Sequence, residues 1–284
     1  MTFPGLIRAN NLSDVADKEK AWDNLGLNII YTFTPIPSSF DSNASAYIAQ
    51  VEETDRSELG EEAREAINAF VVGCKNDGIW PAIKASCILA GARTLAGALV
   101  PLVGVAPTNV GPFVVGDYNR KTGLIGDGNT KYLNSNATTG AGYWSQNSNH
   151  VAVYASSAAT TVNGLYAGSS ITVDLGKAGT TCQFTNYNLS SDIVAGQGSA
   201  TGFIGISRSA IGNFVGRVAL SNTIFTRTST SNTQQSMFLY GRNESTRILA
   251  NARLSFYSIG ESLDLALLDT RVTALLNNFA TIFP

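Results

Sequence analysis

The segment "GFIGISRSAIGNFVGRVALSNTIFTRT", residues 202–228, decides the fold class of this chain. It contains three short runs in which β-branched and aromatic residues alternate with small or polar ones, and Gly, Asn and Ser separate these runs. Residues of the first kind favour strands, whereas the separating residues favour turns. Successive runs begin about ten residues apart, a spacing typical of antiparallel sandwiches and barrels. We therefore predict a β-rich domain of short strands connected by turns.

Further runs with the same pattern lie on both sides of this segment. They are SSITVDL (169–175), TCQFTNY (181–187), VAVYASS (151–157), SMFLYGR (236–242) and ARLSFYSIG (252–260). Charged residues make up only 14% of the chain, and Gly, Ser, Thr and Asn take their place, which suits many turns. The predicted fold is mainly β with helical appendages: an antiparallel β-sandwich or jelly roll over residues 104–284, preceded by short helices and closed by a C-terminal helix.

Residues 57–103 are predicted to form a helical hairpin that packs on the sandwich. The apolar face of its first helix comprises Ala63, Ile67, Phe70, Val71 and Cys74. A turn at Gly78 precedes the second helix, which begins near Pro81, a residue that suits the first turn of a helix. The C-terminal helix is expected to bury the stripe Leu265, Leu268, Val272, Leu275 and Phe279.

Residues 28–56 are predicted to form an extended arm or an edge strand. The opening "NIIYTFTPIPSSF" (28–40) alternates β-branched or aromatic residues with polar ones. Pro35 and Pro37 then exclude a central strand, because proline cannot donate a hydrogen bond to a neighbouring strand.

Residues 1–27 contain a short amphipathic helix pattern. Ser13 is a suitable N-cap and Gly26 ends the pattern. Val15, Trp22 and Leu25 lie on one face. A single helix of about twelve residues is marginal in water. We therefore expect this face to contact copies of itself, a neighbouring protein or the chain's own sandwich.

The net charge of −2 is distributed unevenly, because residues 1–103 carry −5 and residues 104–260 carry +5. One interpretation is structural, with acidic helices beside a mildly basic sheet body. Another is attraction of the body to an acidic cell-surface polymer. No run of Lys and Arg is dense enough to predict nucleic acid binding.

Two features favour folding in a reducing cytoplasm without membrane insertion. The N-terminus has no basic region leading into an apolar run, so no signal peptide is predicted. The most apolar stretch, residues 87–105, is interrupted by Arg93 and Pro101 and makes a poor membrane span.

Residue types that carry catalysis are sparse. Asp117 and Asp127 are the closest carboxylates in the body, but each precedes a loop containing Gly or Asn, so we interpret both as turn residues rather than a glycosidase pair. His150 is the only histidine, and no nucleophile motif accompanies it. Three widely spaced cysteines predict buried free thiols rather than a disulfide framework or zinc site. We therefore predict no enzyme, no metal and no cofactor.

Four aromatic residues are candidates for contacts with sugars. Tyr118, Tyr132, Tyr143 and Trp144 are interleaved with Asn and Ser. Aromatic faces combined with amide hydrogen bonds suit glycan binding, whereas core and turn packing is the alternative. Trp144 is the most suggestive, because it lies among polar loop residues, where an aromatic ring is either covered or free to bind.

Two resemblances point to bacteriophage proteins. Residues 10–27, "NNLSDVADKEKAWDNLGL", resemble the tail-repeat segment common in phage fibre proteins. Several longer phrases resemble the concanavalin A-like jelly-roll domain of phage virion proteins, over about residues 44–284. These phrases are "GCKNDGIWPAIKASCILAGARTLAGALVPLVG" (73–104), "GDYNRKTGLIGDGNTKYLNSN" (116–136), "GSATGFIGISRS" (198–209) and "NARLSFYSIGESLDLALLDTRVTALL" (251–276).

The resemblance implies a structural protein of the virion, with no known catalytic residues. The leading hypothesis is a homotrimeric tail fibre or spike. Its N-terminal segment would anchor it to baseplate, adaptor or capsid proteins, and its distal jelly roll would bind bacterial surface polysaccharide. The alternative is a head fibre or capsid decoration protein with a mainly structural role. A surface-glycan depolymerase is the third hypothesis, although the sequence lacks a carboxylate pair at strand spacing.

Overall fold

The computed structural model describes residues 33–138, 142–169, 173–188, 190–231, 235–245 and 247–284. The predicted N-terminal helix, with Val15, Trp22 and Leu25, lies outside these residues. The elements described below belong to one compact unit, Ile36–Pro284.

Fifteen strands form two antiparallel sheets within the described residues. The first, here called the covered sheet, has the order β13-β12-β11-β6-β15-β4-β3, with β1 also paired to β15. Its strands are β1 (Ile83–Ile88), β3 (Tyr118–Asn119), β4 (Gly123–Ile125), β6 (Asn149–Ser157), β11 (Gly202–Arg208), β12 (Asn213–Val218), β13 (Ser221–Thr226) and β15 (Arg253–Gly260).

The second sheet, here called the open sheet, has the order β10-β9-β8-β7-β14-β5-β2. Its strands are β2 (Thr108–Val110), β5 (Tyr132–Thr138), β7 (Asn163–Gly168), β8 (Val173–Ala178), β9 (Thr181–Asn186), β10 (Asp192–Val194) and β14 (Ser236–Leu239). The two sheets form a sandwich, and the predicted fold class is confirmed.

Four α-helices accompany the sheets in the described part of the chain. They are α1 (Ser42–Asp55), α2 (Glu61–Asn76), the single turn α3 (Leu95–Ala98) and α4 (Leu265–Ile282). Short 3₁₀ turns occupy Trp80–Ala82 and Val115–Asp117. The predicted apolar faces of α2 and α4 are confirmed, because all ten of their residues are buried.

Two apolar clusters divide the molecule into layers. The first fills the space between the sheets and also includes Tyr132 and Phe238 of the open sheet. The second lies between α1, α2 and α4 and the outer face of the covered sheet, where Phe203 and Phe256 meet the helices. Among the described residues, this second cluster draws on strands of the covered sheet and not on the open sheet. The helices therefore cover one outer face of the sandwich.

The predicted extended arm over residues 28–56 is wrong where the structure describes a helix, Ser42–Asp55. The helix begins at Asp41, whose side chain accepts a hydrogen bond from the Asn43 amide. Its buried residues include Ala44, Tyr47, Ile48 and Val51, which have the spacing of one helical face. Pro35 and Pro37 precede this helix, and the same prolines favour an extended segment in the sequence.

The predicted helical hairpin over residues 57–103 is wrong in its second half. Pro81 lies in a 3₁₀ turn, Trp80–Ala82, and Ile83–Ile88 then forms strand β1, antiparallel to β15. This strand is almost entirely buried, so its two faces show no polar alternation. A short apolar run of this kind cannot be assigned to helix or strand by periodicity. The sandwich therefore begins before the predicted boundary at residue 104.

Candidate functional site

The outer face of the open sheet differs sharply from its inner face. One row of cross-strand neighbours consists of Leu133, Leu239, Ala167, Leu175 and Phe184, all buried in the cluster between the sheets. The adjacent row consists of Asn134, Phe238, Gly168, Asp174 and Thr185. Successive residues of a strand point to opposite faces, so this second row faces away from the sandwich. An ordinary solvent-facing row would not bury a carboxylate and an aromatic ring.

A buried ion pair occupies the middle of this outer row. Arg242 donates from Nη2 to Asp174 Oδ2 at 2.5 Å and from Nε to Oδ1 at 3.2 Å. Its Nη1 lies 3.5 Å from a carboxylate oxygen of Glu244. Gly168 makes room for the pair, since a Cβ atom there would lie 2.5 Å from Asp174 Oδ1. We call Asp174, Arg242 and Glu244 the ion cluster.

Burial raises the pKa of Asp174 to about 7, and the hydrogen bonds and charge of Arg242 offset only part of that effect. Burial tends to lower the pKa of Arg242, but the hydrogen bonds and charges of Asp174 and Glu244 together outweigh burial and raise it. A carboxyl group that exchanges its proton near neutral pH gives this face a charge that depends on pH.

An aromatic pair lies beside the ion cluster. The Tyr132 ring stacks on Phe238 with a centroid distance of 4.6 Å and an interplanar angle of 28°. The guanidinium of Arg247 lies 4.9 Å from the Tyr132 centroid. Arg247 is exposed, whereas Tyr132 retains 8% of its accessible surface. The exposed cation therefore forms the outer surface of the aromatic pair.

The four predicted glycan contacts do not converge on one surface. Tyr132 belongs to the open sheet, but Tyr118 donates its hydroxyl hydrogen to Ala92 O at 2.6 Å and packs near the helices. Tyr143 and Trp144 pack against the cluster between the sheets. Trp144 retains 4% of its surface and donates Nε1–H to the Tyr187 hydroxyl at 3.1 Å. Of the two alternatives that the sequence leaves open for Trp144, the structure therefore shows core packing.

Asp117 and Asp127 occupy turns, as predicted. Burial tends to raise the pKa of each, but hydrogen bonds outweigh it and hold both pKa values below the usual range. Asp117 pairs with Lys131 at 2.6 Å and accepts from the Val114 amide. Asp127 accepts from the backbone amides of residues 129, 130 and 131. Neither carboxylate is arranged as a proton donor.

His150 and the cysteines are structural, as predicted. His150 is fully buried between Glu261 O, at 2.5 Å, and Ser258 Oγ, at 2.8 Å. Burial lowers its pKa to about 4. Cys74, Cys87 and Cys182 are buried free thiols, and burial raises the pKa of each to about 12.

Within the described ranges no group of three or more His, Cys, Asp or Glu side chains is arranged to hold a metal ion. In the same part of the chain, no helix is both long and apolar enough to cross a membrane.

The ion cluster and Phe238 were not foreseen from sequence. Asp174 and Arg242 lie 68 positions apart, and only strand pairing brings them together. The single charged residue in the strand pattern "SSITVDL" (169–175), Asp174, is the only local signal.

The chain matches no protein-family profile, and no curated protein sequence matches it. Solved structures of similar shape include the binding domain of botulinum neurotoxin serotype D, with 12% identity and a TM-score of 0.48. That likeness covers 68% of this chain and 51% of the neurotoxin chain.

Two further structures were solved with sugars. The serotype D ligand-binding domain in complex with N-acetylneuraminic acid has 10% identity and a TM-score of 0.42, covering 68% of this chain and 50% of that one. Domain 4 of AbnA, a GH43 extracellular arabinanase from Geobacillus stearothermophilus in complex with arabinotriose, has 12% identity and a TM-score of 0.36, covering 60% and 82%. The chain spans about half the length of the neurotoxin domains, and likenesses of this degree do not indicate its ligand.

Proposed function

We propose that this chain is an attachment protein of a bacteriophage particle, a tail fibre or spike whose sandwich binds bacterial surface polysaccharide. The binding surface is the outer face of the open sheet, around Tyr132, Phe238 and Arg247. The ion cluster lies beside Phe238 in the same outward row and holds the adjoining loop in place. The chain acts as a binding protein without cofactor or metal.

The proposal depends on one observation: helices pack on one outer face of the sandwich, while the other carries an aromatic pair, an exposed cation and polar side chains. Polysaccharides present hydroxyl groups and apolar ring faces, and acidic ones add carboxylates. Arg247 offers a charge-assisted donor to such a carboxylate, and Asn134 offers an amide on the same face. The aromatic pair offers an apolar surface once the Arg247 side chain moves toward the ligand.

Charge distribution favours an acidic polymer. Residues 104–260, which contain the whole open sheet, carry a net charge of +5. Attraction of this kind accelerates encounter with a polyanion and weakens as salt concentration rises. An acidic capsular polymer is therefore a better probe than a neutral one.

The test is binding of the full-length protein to purified acidic and neutral bacterial surface polymers. We expect Arg247→Ala to weaken binding of the acidic polymer about tenfold, the loss of one good charged contact. Tyr132→Ala should weaken it at least as much, while Tyr132→Phe, which keeps the ring, should retain binding.

Lys84→Ala is the matched control, because it removes a partly exposed cation on the covered sheet, 3.5 Å from Glu261. It should leave polymer binding unchanged. Equal binding by wild type and Arg247→Ala, with all variants folded, would exclude the open face as the binding surface.

The N-terminal segment is assigned a separate role in assembly. Its resemblance to a fibre tail repeat supports a homotrimer or docking to baseplate, adaptor or capsid proteins through Val15, Trp22 and Leu25. Leu25→Asp in the full chain should then lower the mass in solution or release the protein from particles. Gold labelling of particles distinguishes a tail fibre from a head fibre or decoration protein, since the two place the label at different sites.

A further inference from the structure

The sheet edges of the sandwich are unequal. In the described part of the chain, β10 and β2 end the open sheet and contain three residues each, and β3, at one end of the covered sheet, contains two. β1 is bridged on its outer side through Ser86 to Val103. The remaining edge strand, β13, has six residues and pairs with β12 along its whole length. β1 is equally long, so β13 is the longest of these edges without such an outer bridge.

β13 also lacks the usual protection of an edge strand. Its sequence, "SNTIFT", contains no charge and no proline, and its pairing with β12 has no bulge. Ile224, near its centre, is 70% exposed, and Leu220 in the preceding turn is 74% exposed. Natural proteins commonly protect such edges with lysine, proline or a bulge, because an unpaired strand edge is a template for another strand.

This edge is held in place rather than frayed. Phe225 stacks on Phe214 with a centroid distance of 5.0 Å. On the other face Arg217 donates to Asn222 Oδ1 at 2.9 Å and to Asp269 of α4 at 2.8 Å. A partner strand would therefore meet an edge whose backbone is already ordered, which lowers the entropy lost on association.

The turn before β13 determines which backbone groups face outward. Ala219 and Leu220 both have positive φ, 49° and 62°, and form a two-residue hairpin turn that pairs Val218 with Ser221. Hydrogen-bonded and non-hydrogen-bonded pairs then alternate along the hairpin. The outward N–H and C=O groups are accordingly those of Asn222, Ile224 and Thr226.

We infer that β13 is a self-association edge, which pairs antiparallel with β13 of a second copy of this chain. The two-fold axis passes between the two Ile224 residues, and Asn222 faces Thr226 of the other copy. The three pairs are Ile224 with Ile224, Asn222 with Thr226, and Thr226 with Asn222. Each pair exchanges two backbone hydrogen bonds, so the covered sheets of both copies become one continuous sheet. The two exposed Ile224 side chains bury each other on the helix side.

A second copy suits this edge better than a charged partner. The strand is neutral, so two copies meet without like-charge repulsion, and its outward groups are symmetric about Ile224. The pairing is independent of residues 1–27. If that segment forms trimers, edge pairing joins two trimers into a hexamer. The assembly therefore contains an even number of chains in either case.

The first test is the mass of the full-length protein in solution across a range of concentrations, for wild type and Ile224→Lys. This substitution places two like charges at the two-fold axis, and the exposed position tolerates lysine in the single chain. We expect an even-numbered wild-type assembly and at least tenfold weaker association of the variant. Val162→Lys is the matched control, because Val162 is 73% exposed and lies in the loop before β7; its association should equal wild type.

The second test examines the register. Ile224→Cys should form a disulfide between two chains under mild oxidation, because directly opposed residues of a hydrogen-bonded pair lie within disulfide range. Val162→Cys should not do so. The native cysteines are buried and poorly ionised, so they do not compete.

A monomeric wild-type protein, or an assembly whose mass is the same for wild type and Ile224→Lys, would overturn the inference. So would an assembly that Ile224→Lys weakens but in which Ile224→Cys forms no inter-chain disulfide, because the edge would then pair in another register. Polymer binding by the open face is a separate measurement, and its failure would leave this inference unaffected.

Discussion

The outward-facing side chains of the two sheets are covered in different ways. On the covered sheet, the outward row includes Phe256, Tyr154 and Phe203, which pack against α2 and α4. On the open sheet, the corresponding outward row includes Phe238 and Asp174, and charged side chains from the loop after β14 lie over it. The covered face is stabilised mainly by apolar burial, whereas the open face buries an ion pair beside an aromatic pair.

The buried charges on the two sides also differ. On the helical side, Glu52 accepts both Arg64 Nε and Nη2, at 2.7 and 2.6 Å, and also the Leu59 amide at 2.8 Å. Both of its oxygens therefore accept hydrogen bonds from buried donors. On the open side, Arg242 is shared between Asp174 and the more exposed Glu244. The first arrangement joins α1 to α2, and the second leaves a carboxyl group that responds to pH.

The largest effect should come from removing the apolar contact on the covered face. Phe256 is fully buried and lies edge-on to Phe70, with centroids 5.7 Å apart. Phe256→Ala should lower the free energy of unfolding by about 3–5 kcal/mol, measured by urea denaturation. Leu267→Ala, a partly exposed α4 position, is the control and should change it by less than about 1 kcal/mol. Similar losses for both would contradict the role of apolar burial.

Breaking the helical ion pair should have an effect of similar or slightly smaller size. Glu52→Ala leaves the Arg64 guanidinium buried without its carboxylate, at a cost of about 3–5 kcal/mol. Glu53→Ala, at the next and exposed position of the same helix, should be nearly neutral. Equal stabilities of the two variants in thermal or urea unfolding would show that Arg64 finds another partner.

On the open face, stability should depend on pH through Asp174. Its folded pKa, about 7, exceeds the unfolded value of 3.8, so the folded protein holds an extra proton between these values. The contribution of Asp174 is therefore fully present below about pH 4 and declines as pH rises toward 7, by roughly 2–4 kcal/mol. Asp174→Asn removes this proton, and the difference in unfolding free energy between wild type and variant should change across that window. A constant difference from pH 4 to pH 7 would contradict the raised pKa.

The smallest effect on stability should come from the exposed cation. Arg247→Ala should change the free energy of unfolding by less than about 0.5 kcal/mol, because the side chain is exposed and its interaction with Tyr132 is weak there. The same variant should weaken binding of acidic polymer about tenfold. A large loss of stability would instead assign Arg247 a structural role and remove it from the proposed binding surface.

The elements predicted correctly from sequence have one solvent-exposed face. In α2 and α4, the predicted residues recur at helical spacing and are buried, because polar residues occupy the other face. The strands of residues 202–228 were recognised by their turns. The errors have two causes. Strand β1 is buried on both faces, so its sequence shows no contrast between a polar and an apolar face. Helix α1 follows two prolines, which favour an extended segment.

Local sequence was sufficient to specify an antiparallel sandwich with a terminal helix, since alternation, turn residues and amphipathic spacing are properties of neighbouring residues. Tertiary structure alone decided which groups share a surface. Arg208 illustrates this, because it is fully buried and its guanidinium donates to carbonyl oxygens of residues 186, 210, 211, 213 and 227. Nothing near Arg208 in the chain predicts such burial. Pairing between distant strands likewise placed Asp174 beside Arg242, buried Trp144 and left the edge of β13 exposed, because side-chain environment depends on contacts that no local pattern encodes.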